Sequence, residues 1–270
     1  MHGIDSSIES SVYIITLANS KEGNRLNTHI LAEFSSALQQ ARNRDDIRAV
    51  LIRSNGPVFS HGMDLGALLL SGWKKKLIEE AVGLYGDLLY SIYTLPKPVI
   101  AVVEGDVKAG GVGLASAADI VLGSPEASFE LAEVFFGLIP ANVLPFFAGL
   151  RVSYQKARSL ILSAKKIDAA EALQIGLLDE VCPRPELEKN LKNLFKRLLA
   201  FSPHALAETK IFTERLFTPD FPALIALAKS TLLTLISDRE VQAGIETFLQ
   251  GGMPPWGVRF KPENPLLLKE

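Results

Sequence analysis

The stretch at residues 97–122 reads KPVIAVVEGDVKAGGVGLASAADIVL. It begins with an apolar, β-branched segment typical of a buried strand, followed by glycine at 110, 111 and 113 and then by small residues. Glycine is unfavourable inside a helix, so a helix that opens on glycines indicates close approach of the backbone to something else. The run therefore marks a place where main chain meets a ligand or a neighbouring element.

The glycine run does not match the common phosphate-binding motifs. No G-x-x-x-x-G-K-[ST] sequence occurs in the chain, which excludes a P-loop. Gly111 and Gly113 start a G-x-G-x-x pattern, but its sixth position is Ser116 and it lies mid-chain, which disfavours a dinucleotide fold. Two interpretations remain: close helix–strand packing, or free main-chain N–H groups that form part of an oxyanion hole.

A second loop, VFSHGMDL at residues 58–65, favours the oxyanion interpretation. It also leaves a strand region through a glycine and enters a helix, with Asp64 suited to the first turn of that helix. Two such loops can each supply one N–H group to the same oxygen atom.

Composition indicates an ordinary globular chain. It has 270 residues, 48% of them hydrophobic, and a net charge of −2, which gives no support for broad nucleic-acid or membrane binding. The single cysteine, Cys182, excludes an intrachain disulfide and favours a reducing cytoplasm. The N-terminus lacks a signal-peptide pattern, and the longest apolar stretch, 131–150, is interrupted by polar residues and prolines. We expect a cytoplasmic protein without a metal or cofactor.

Strand and helix patterns alternate through most of the chain. Strands are predicted at 11–18, 47–54, 97–105, 118–124 and 177–183. Helices are predicted at 29–44 and 71–95 and after a capping box formed by Asp168 and Glu171. From about Glu186 the whole chain is predicted to be helical up to GGMPPW at 251–256. This pattern predicts an α/β fold with a core at 1–198 and a helical C-terminal region at 199–270.

Four segments, in order, resemble the motifs of the crotonase, or enoyl-CoA hydratase/isomerase, superfamily. They are FSHGMDL (59–65), the opening stretch (97–122), ASFELAEVFFGLIPA (127–141) and AKKIDAAEALQIGLLDEVCP (164–183). The resemblance implies a spiral of ββα repeats, a helical C-terminal trimerisation region, a homotrimer or hexamer, and acyl thioester substrates.

The resemblance also implies roles for particular residues. The N–H groups of Met63 and Gly110 would bind the thioester oxygen. Hydratases of the family use two glutamates; the second matches Glu133, whereas the place of the first is taken by Gly113, which has no side chain. A lone glutamate in so apolar a run must face a cavity or be paired, unless it starts a helix in solvent. Burial would raise its pKa and suit it to proton transfer.

A finer resemblance concerns the dehydratases of polyketide β-branching cassettes, and is carried by SFELAEVFFGLIPANVLPFF (128–147) and QAGIETFLQGGMPPW (242–256). Those enzymes convert hydroxymethylglutaryl groups on an acyl carrier protein (ACP) to methylglutaconyl-ACP. It implies that Glu133 handles the α-proton. Asp64 is a candidate for polar assistance or merely a helix cap, and His61, Lys108 and Gly111 are candidates for substrate binding, His61 and Lys108 also being compatible with ordinary surface residues.

The basic cluster WKKKL (73–77), together with Arg259 and Lys261, is compatible with contact to phosphopantetheine or an acidic ACP, or with a solvated surface. Two other functions remain open. One is an enoyl-CoA isomerase or hydratase of fatty-acid metabolism, and the other is a non-catalytic relative that binds acyl carriers.

Overall fold

The computed structural model describes residues 3–217, 220–252 and 255 of the chain. Within these residues the strands are β1 (Ile4–Glu9), β2 (Val12–Leu17), β3 (Ala49–Ser54), β4 (Val58–Ser60), β5 (Val99–Val103), β6 (Asp106–Lys108), β7 (Ile120–Gly123), β8 (Ser128–Glu130), β9 (Ile167–Asp168) and β10 (Glu180–Val181). The helices are α1 (Thr28–Asn43), α2 (Leu65–Leu70), α3 (Lys75–Tyr93), α4 (Gly110–Ser116), α5 (Leu144–Phe147), α6 (Tyr154–Ser163), α7 (Ala169–Gln174), α8 (Arg184–Ala200), α9 (Pro203–Phe217), α10 (Phe221–Ile236) and α11 (Arg239–Leu249).

The strands form two sheets, and from β3 to β8 successive strands alternate between them. The first sheet has the order β1-β2-β3-β5-β7-β10 and is parallel except for the β1–β2 pair. The second has the order β4-β6-β8-β9, in which β4, β6 and β8 are parallel. The pairs β3–β4, β5–β6 and β7–β8 each place one strand in each sheet. This arrangement confirms the predicted α/β spiral.

The first sheet is covered on both faces, as a parallel sheet requires. On β2, Ile15 and Leu17 belong to the core shared with α1 and α3, whereas Val12 and Ile14 belong to a cluster that includes Leu187 of α8. The alternation follows from the two-residue period of a strand. Helix α1 is held at its start by Asn27, whose side chain accepts a hydrogen bond from the Ile30 N–H.

Some elements differ from those predicted. The residue patterns do not locate the strands of the second sheet, because these strands are only two or three residues long and carry no periodic signal. The helix predicted at 71–95 begins at Lys75, because the chain turns at Trp73, whose φ of +56° lies in the left-handed region. Half of the predicted capping box is confirmed, since the Asp168 side chain accepts from the Glu171 N–H, whereas the Glu171 carboxylate accepts from Lys156 and Lys165.

The C-terminal helices pack against the rest of the chain. Helix α10 buries Ile225 and Leu232 and contacts α3, while Leu224 and Leu227 remain exposed. No single helix in the described ranges is long and apolar enough to span a membrane; α10 and α11 pass that test only as a pair bent by 76°. Arg259, Lys261 and most of the PPW segment lie outside the described residues.

Candidate active site

Three neighbouring strands of the second sheet deliver the site. Met63 follows β4, Gly110 follows β6 and Glu133 follows β8, each within three residues of the end of its strand. Because β4, β6 and β8 are parallel neighbours, these three segments emerge side by side at the same edge. A cavity of about 530 Å³ lies there, with all three residues in its wall.

The two glycine loops touch each other. Gly62 has a φ of +77°, and a Cβ atom on it would lie 2.4 Å from the Gly110 nitrogen, so only glycine fits. Around Met63, the Leu26 N–H donates to the Gly62 carbonyl and the Asp64 N–H donates to the Leu26 carbonyl. Within the described residues, no acceptor is found for the N–H of Met63 or of Gly110. Main-chain N–H groups without an internal acceptor are what an oxyanion hole requires.

Glu133 is buried in the cavity wall with 8% of its surface exposed. Its Oε2 atom has no hydrogen-bond partner among the described residues. Burial raises its pKa to about 7, with a further increase from the negative charge of Glu130. Glu133 is thus a carboxyl group that can take and return a proton near neutral pH.

Two polar groups of the cavity wall were not indicated by the sequence. Tyr85 on α3 is 2% exposed, and its hydroxyl donates to the Gly110 carbonyl at 2.5 Å. Asn142 donates to the Val82 carbonyl, while its Oδ1 has no partner within the described ranges. Tyr85 lies at helical spacing among apolar residues, so in sequence it is indistinguishable from a core residue.

Charged side chains line the cavity beside the glycine loops. His61 lies two residues before Met63, and Lys108 lies two residues before Gly110. The His61 Nε2 and Lys108 Nζ atoms are 3.2 and 3.6 Å from the Asp106 Oδ2. Lys108 also lies 3.6 Å from Glu130, its register neighbour on β8. Burial lowers the pKa of His61, so the ring is neutral at pH 7. Arg25 lines the cavity and has no acidic partner among the described residues.

Other predicted residues have contacts outside this cavity. Asp64 caps α2, where its Oδ1 accepts from the Ala67 N–H at 3.1 Å, and it lines an adjoining cleft of about 410 Å³. Gly111 packs against the loop at residues 58–65, since a Cβ atom on it would lie 2.2 Å from the Ser60 carbonyl oxygen. The lysines of residues 74–76 are exposed and do not line the cavity. No group of His, Cys, Asp or Glu in the described ranges could hold a metal ion.

Residues 7–259 match the enoyl-CoA hydratase/isomerase family, and the chain belongs to that family. The bacillaene synthase dehydratase PksH of Bacillus subtilis is 32% identical over 255 residues, which cover 92% of this chain and 94% of PksH. The crystal structure of a B. subtilis protein described as a polyketide biosynthesis enoyl-CoA hydratase (pksH) has a TM-score of 0.86 and 30% identity, covering 94% of this chain and 99% of that one. Enoyl-CoA hydratase domain-containing protein 3, mitochondrial, of Rattus norvegicus is 28% identical over 245 residues, which cover 90% of this chain and 80% of the rat protein.

Proposed function

We propose that this protein dehydrates hydroxymethylglutaryl-ACP to methylglutaconyl-ACP. The observation that supports the proposal most strongly is that Glu133 supplies a buried carboxyl while position 113 is a glycine and supplies none. A two-glutamate site activates water for addition, whereas a site with one such carboxyl is suited to moving a proton at the α-carbon. The similarity to a bacillaene synthase dehydratase supports the same direction of reaction.

The mechanism uses main-chain groups to stabilise charge and a carboxyl to move the proton. The thioester oxygen accepts hydrogen bonds from the N–H groups of Met63 and Gly110, which stabilise the enolate as negative charge develops on that oxygen. Glu133 removes the α-proton and then returns it to the departing β-hydroxyl, which leaves as water. A carboxyl with a pKa of about 7 suits both steps, because its proton is held neither too weakly nor too strongly at neutral pH.

The charges beside the glycine loops support a substrate with a second carboxylate. Arg25 and Lys108 both line the cavity, and Arg25 has no competing acidic partner among the described residues. Lys108 is shared between Asp106 and Glu130 at 3.6 Å, distances that leave it free to turn toward a ligand. The distal carboxylate of a hydroxymethylglutaryl group would bind here by charge-assisted hydrogen bonds.

The test is intact-protein mass spectrometry of hydroxymethylglutaryl-ACP incubated with the protein, with the CoA thioester in parallel. We expect the acyl group to lose one water, at a higher rate on the ACP thioester than on the CoA thioester. Equal rates on the two carriers would remove the ACP part of the proposal. Absence of water loss from both would overturn the dehydratase reaction itself.

An enoyl-CoA isomerase is the second candidate, because one carboxyl can shuttle a proton between two carbons of an unsaturated acyl chain. The same Glu133 and the same pair of N–H groups would serve that reaction. Double-bond migration in an unsaturated acyl-CoA, together with no water loss from either hydroxymethylglutaryl thioester, would select the isomerase.

A further inference from the structure

Tyr85 fills the space that a side chain at position 113 would need. A Cβ atom on Gly113 would lie 2.3 Å from the Tyr85 Oη, 3.0 Å from the Leu89 Cδ1 and 3.1 Å from the Val143 Cγ2. These separations are shorter than ordinary van der Waals contact. A residue larger than glycine at 113 therefore cannot coexist with the Tyr85 side chain in its present position. The absence of a side chain at Gly113 therefore leaves room for the Tyr85 hydroxyl in the cavity wall.

The hydroxyl is held in a fixed place. Tyr85 is 2% exposed on α3, and its O–H donates to the carbonyl of Gly110 at 2.5 Å. Gly110 is also the residue whose N–H is a candidate oxyanion donor, so the hydroxyl is tied to the loop that holds the thioester. Burial raises the pKa of Tyr85 well above its usual value, and the charge of Glu133 raises it further. The phenol is neutral at any working pH.

The Tyr85 oxygen retains its capacity to accept a hydrogen bond. Its single hydrogen is directed at the Gly110 carbonyl, and no donor to the Oη occurs among the described residues. Donation to a carbonyl polarises the O–H group and makes its oxygen a stronger acceptor. Tyr85 lines the same cavity as Glu133, so a ligand hydroxyl placed between them would meet an acceptor on one side and a carboxyl on the other.

We propose that the Tyr85 hydroxyl binds the β-hydroxyl of the substrate and orients it for elimination, and this inference rests on the proposed dehydratase function. The substrate O–H donates to the Tyr85 Oη, which directs a lone pair of the substrate oxygen toward Glu133. The α C–H bond then breaks with its proton passing to Glu133, the Cα–Cβ double bond forms, and the Cβ–O bond breaks. Glu133 returns the proton to that oxygen as water leaves, and Tyr85 keeps its own proton throughout.

The test compares Tyr85→Phe with the wild type in two reactions. The first is water loss from hydroxymethylglutaryl-ACP, and the second is hydrogen–deuterium exchange at the α-carbon of methylglutaryl-ACP, which lacks the β-hydroxyl. We expect the variant to lose about 10- to 100-fold in dehydration rate, as for the loss of a hydrogen bond to a substrate hydroxyl. Exchange should stay within about two-fold, because enolate formation uses Glu133 and the two N–H groups.

Tyr13→Phe is the matched control, since Tyr13 is a buried tyrosine whose hydroxyl faces Gln40 outside the cavity. It should leave both reactions unchanged. Should Tyr85→Phe fail to fold, Gly113→Ala gives a second route, because its methyl group displaces the Tyr85 hydroxyl. It should show the same selective loss of dehydration.

Three other results have distinct meanings. Wild-type dehydration by Tyr85→Phe would overturn the inference and leave the dehydratase function intact. Equal loss of dehydration and exchange would also overturn it, because Tyr85 would then act only by holding the Gly110 loop. A wild type that exchanges the α-proton but releases no water would reject the proposed function, and the inference with it.

Discussion

At the scale of single residues, the carboxyl of Glu133 couples activity to stability through one proton. The group lies in an apolar wall and has an oxygen without a partner in the described ranges. The folded protein holds its proton with a pKa of about 7, whereas the ordinary value is 4.5. The folded state therefore binds more protons than the unfolded chain between these two pH values, and its stability falls as pH rises through that window.

Glu133→Gln should remove this pH dependence. Between pH 5 and pH 8 wild type should lose about 2 to 3 kcal/mol of unfolding free energy relative to the variant. The reason is that only wild type has a buried negative charge at this position at pH 8. Denaturant unfolding of both proteins at the two pH values measures the difference. A constant difference would mean that Glu133 is solvated in the folded protein.

Met63 is assigned a role through its main-chain N–H, and its side chain is replaceable in that role. Met63→Ala should keep turnover within about three-fold of wild type, whereas Met63→Pro, which removes the N–H, should lose about 10² to 10³. Saturating single-turnover rates measure both, with circular dichroism to confirm folding. Comparable losses in the two variants would show that the side chain, not the N–H, is what matters.

Among the helices, α2 has Asp64 as its N-cap residue, and the Asp64 side chain accepts a hydrogen bond from the Ala67 N–H. Asp64→Asn retains a capping oxygen and should match wild type in stability and turnover, while Asp64→Ala should lose about 1 kcal/mol of unfolding free energy. Thermal unfolding and turnover of the two variants provide the comparison. If Asp64→Asn lowers turnover and leaves stability unchanged, Asp64 acts on the substrate.

The sequence predicted the elements with strong local signals and missed those that neighbours hold in place. The strand β5 is a continuous apolar run, β3 begins with four apolar residues, and Asn27 and Asp168 are recognisable caps. The strands β4, β6 and β8 are three residues each, so only their pairing in the second sheet defines them. Tyr85 was missed for a related reason, because its contact with Gly113 joins residues far apart in the chain.

At the scale of the whole molecule, the C-terminal helices have two different faces. One face of α10 packs on α3, and Leu232 and Ile236 contribute to the cavity wall. Phe212 of α9 and Leu224 and Leu227 of α10 are exposed large apolar residues. We expect these exposed side chains to be covered by copies of the same chain, because exposed large apolar groups favour association.

The assembly is expected to contain three or six copies. Size-exclusion chromatography with light scattering measures the mass directly, and Leu227→Glu should shift it toward the monomer because a charge at a buried interface is costly. Glu188→Ala on the exposed part of α8 is the control. A wild-type monomer at micromolar concentration would contradict the expected oligomer.

In the proposed reaction the buried carboxyl of Glu133 drives water elimination from an acyl thioester. The most direct measurement is time-resolved intact-mass analysis of hydroxymethylglutaryl-ACP with wild-type protein and with Glu133→Gln at pH 8. Wild type should release one water per acyl group, and the variant should be slower by about 10² to 10⁴, the usual contribution of a positioned acid–base group. A variant that dehydrates at the wild-type rate would show that Glu133 does not move the α-proton.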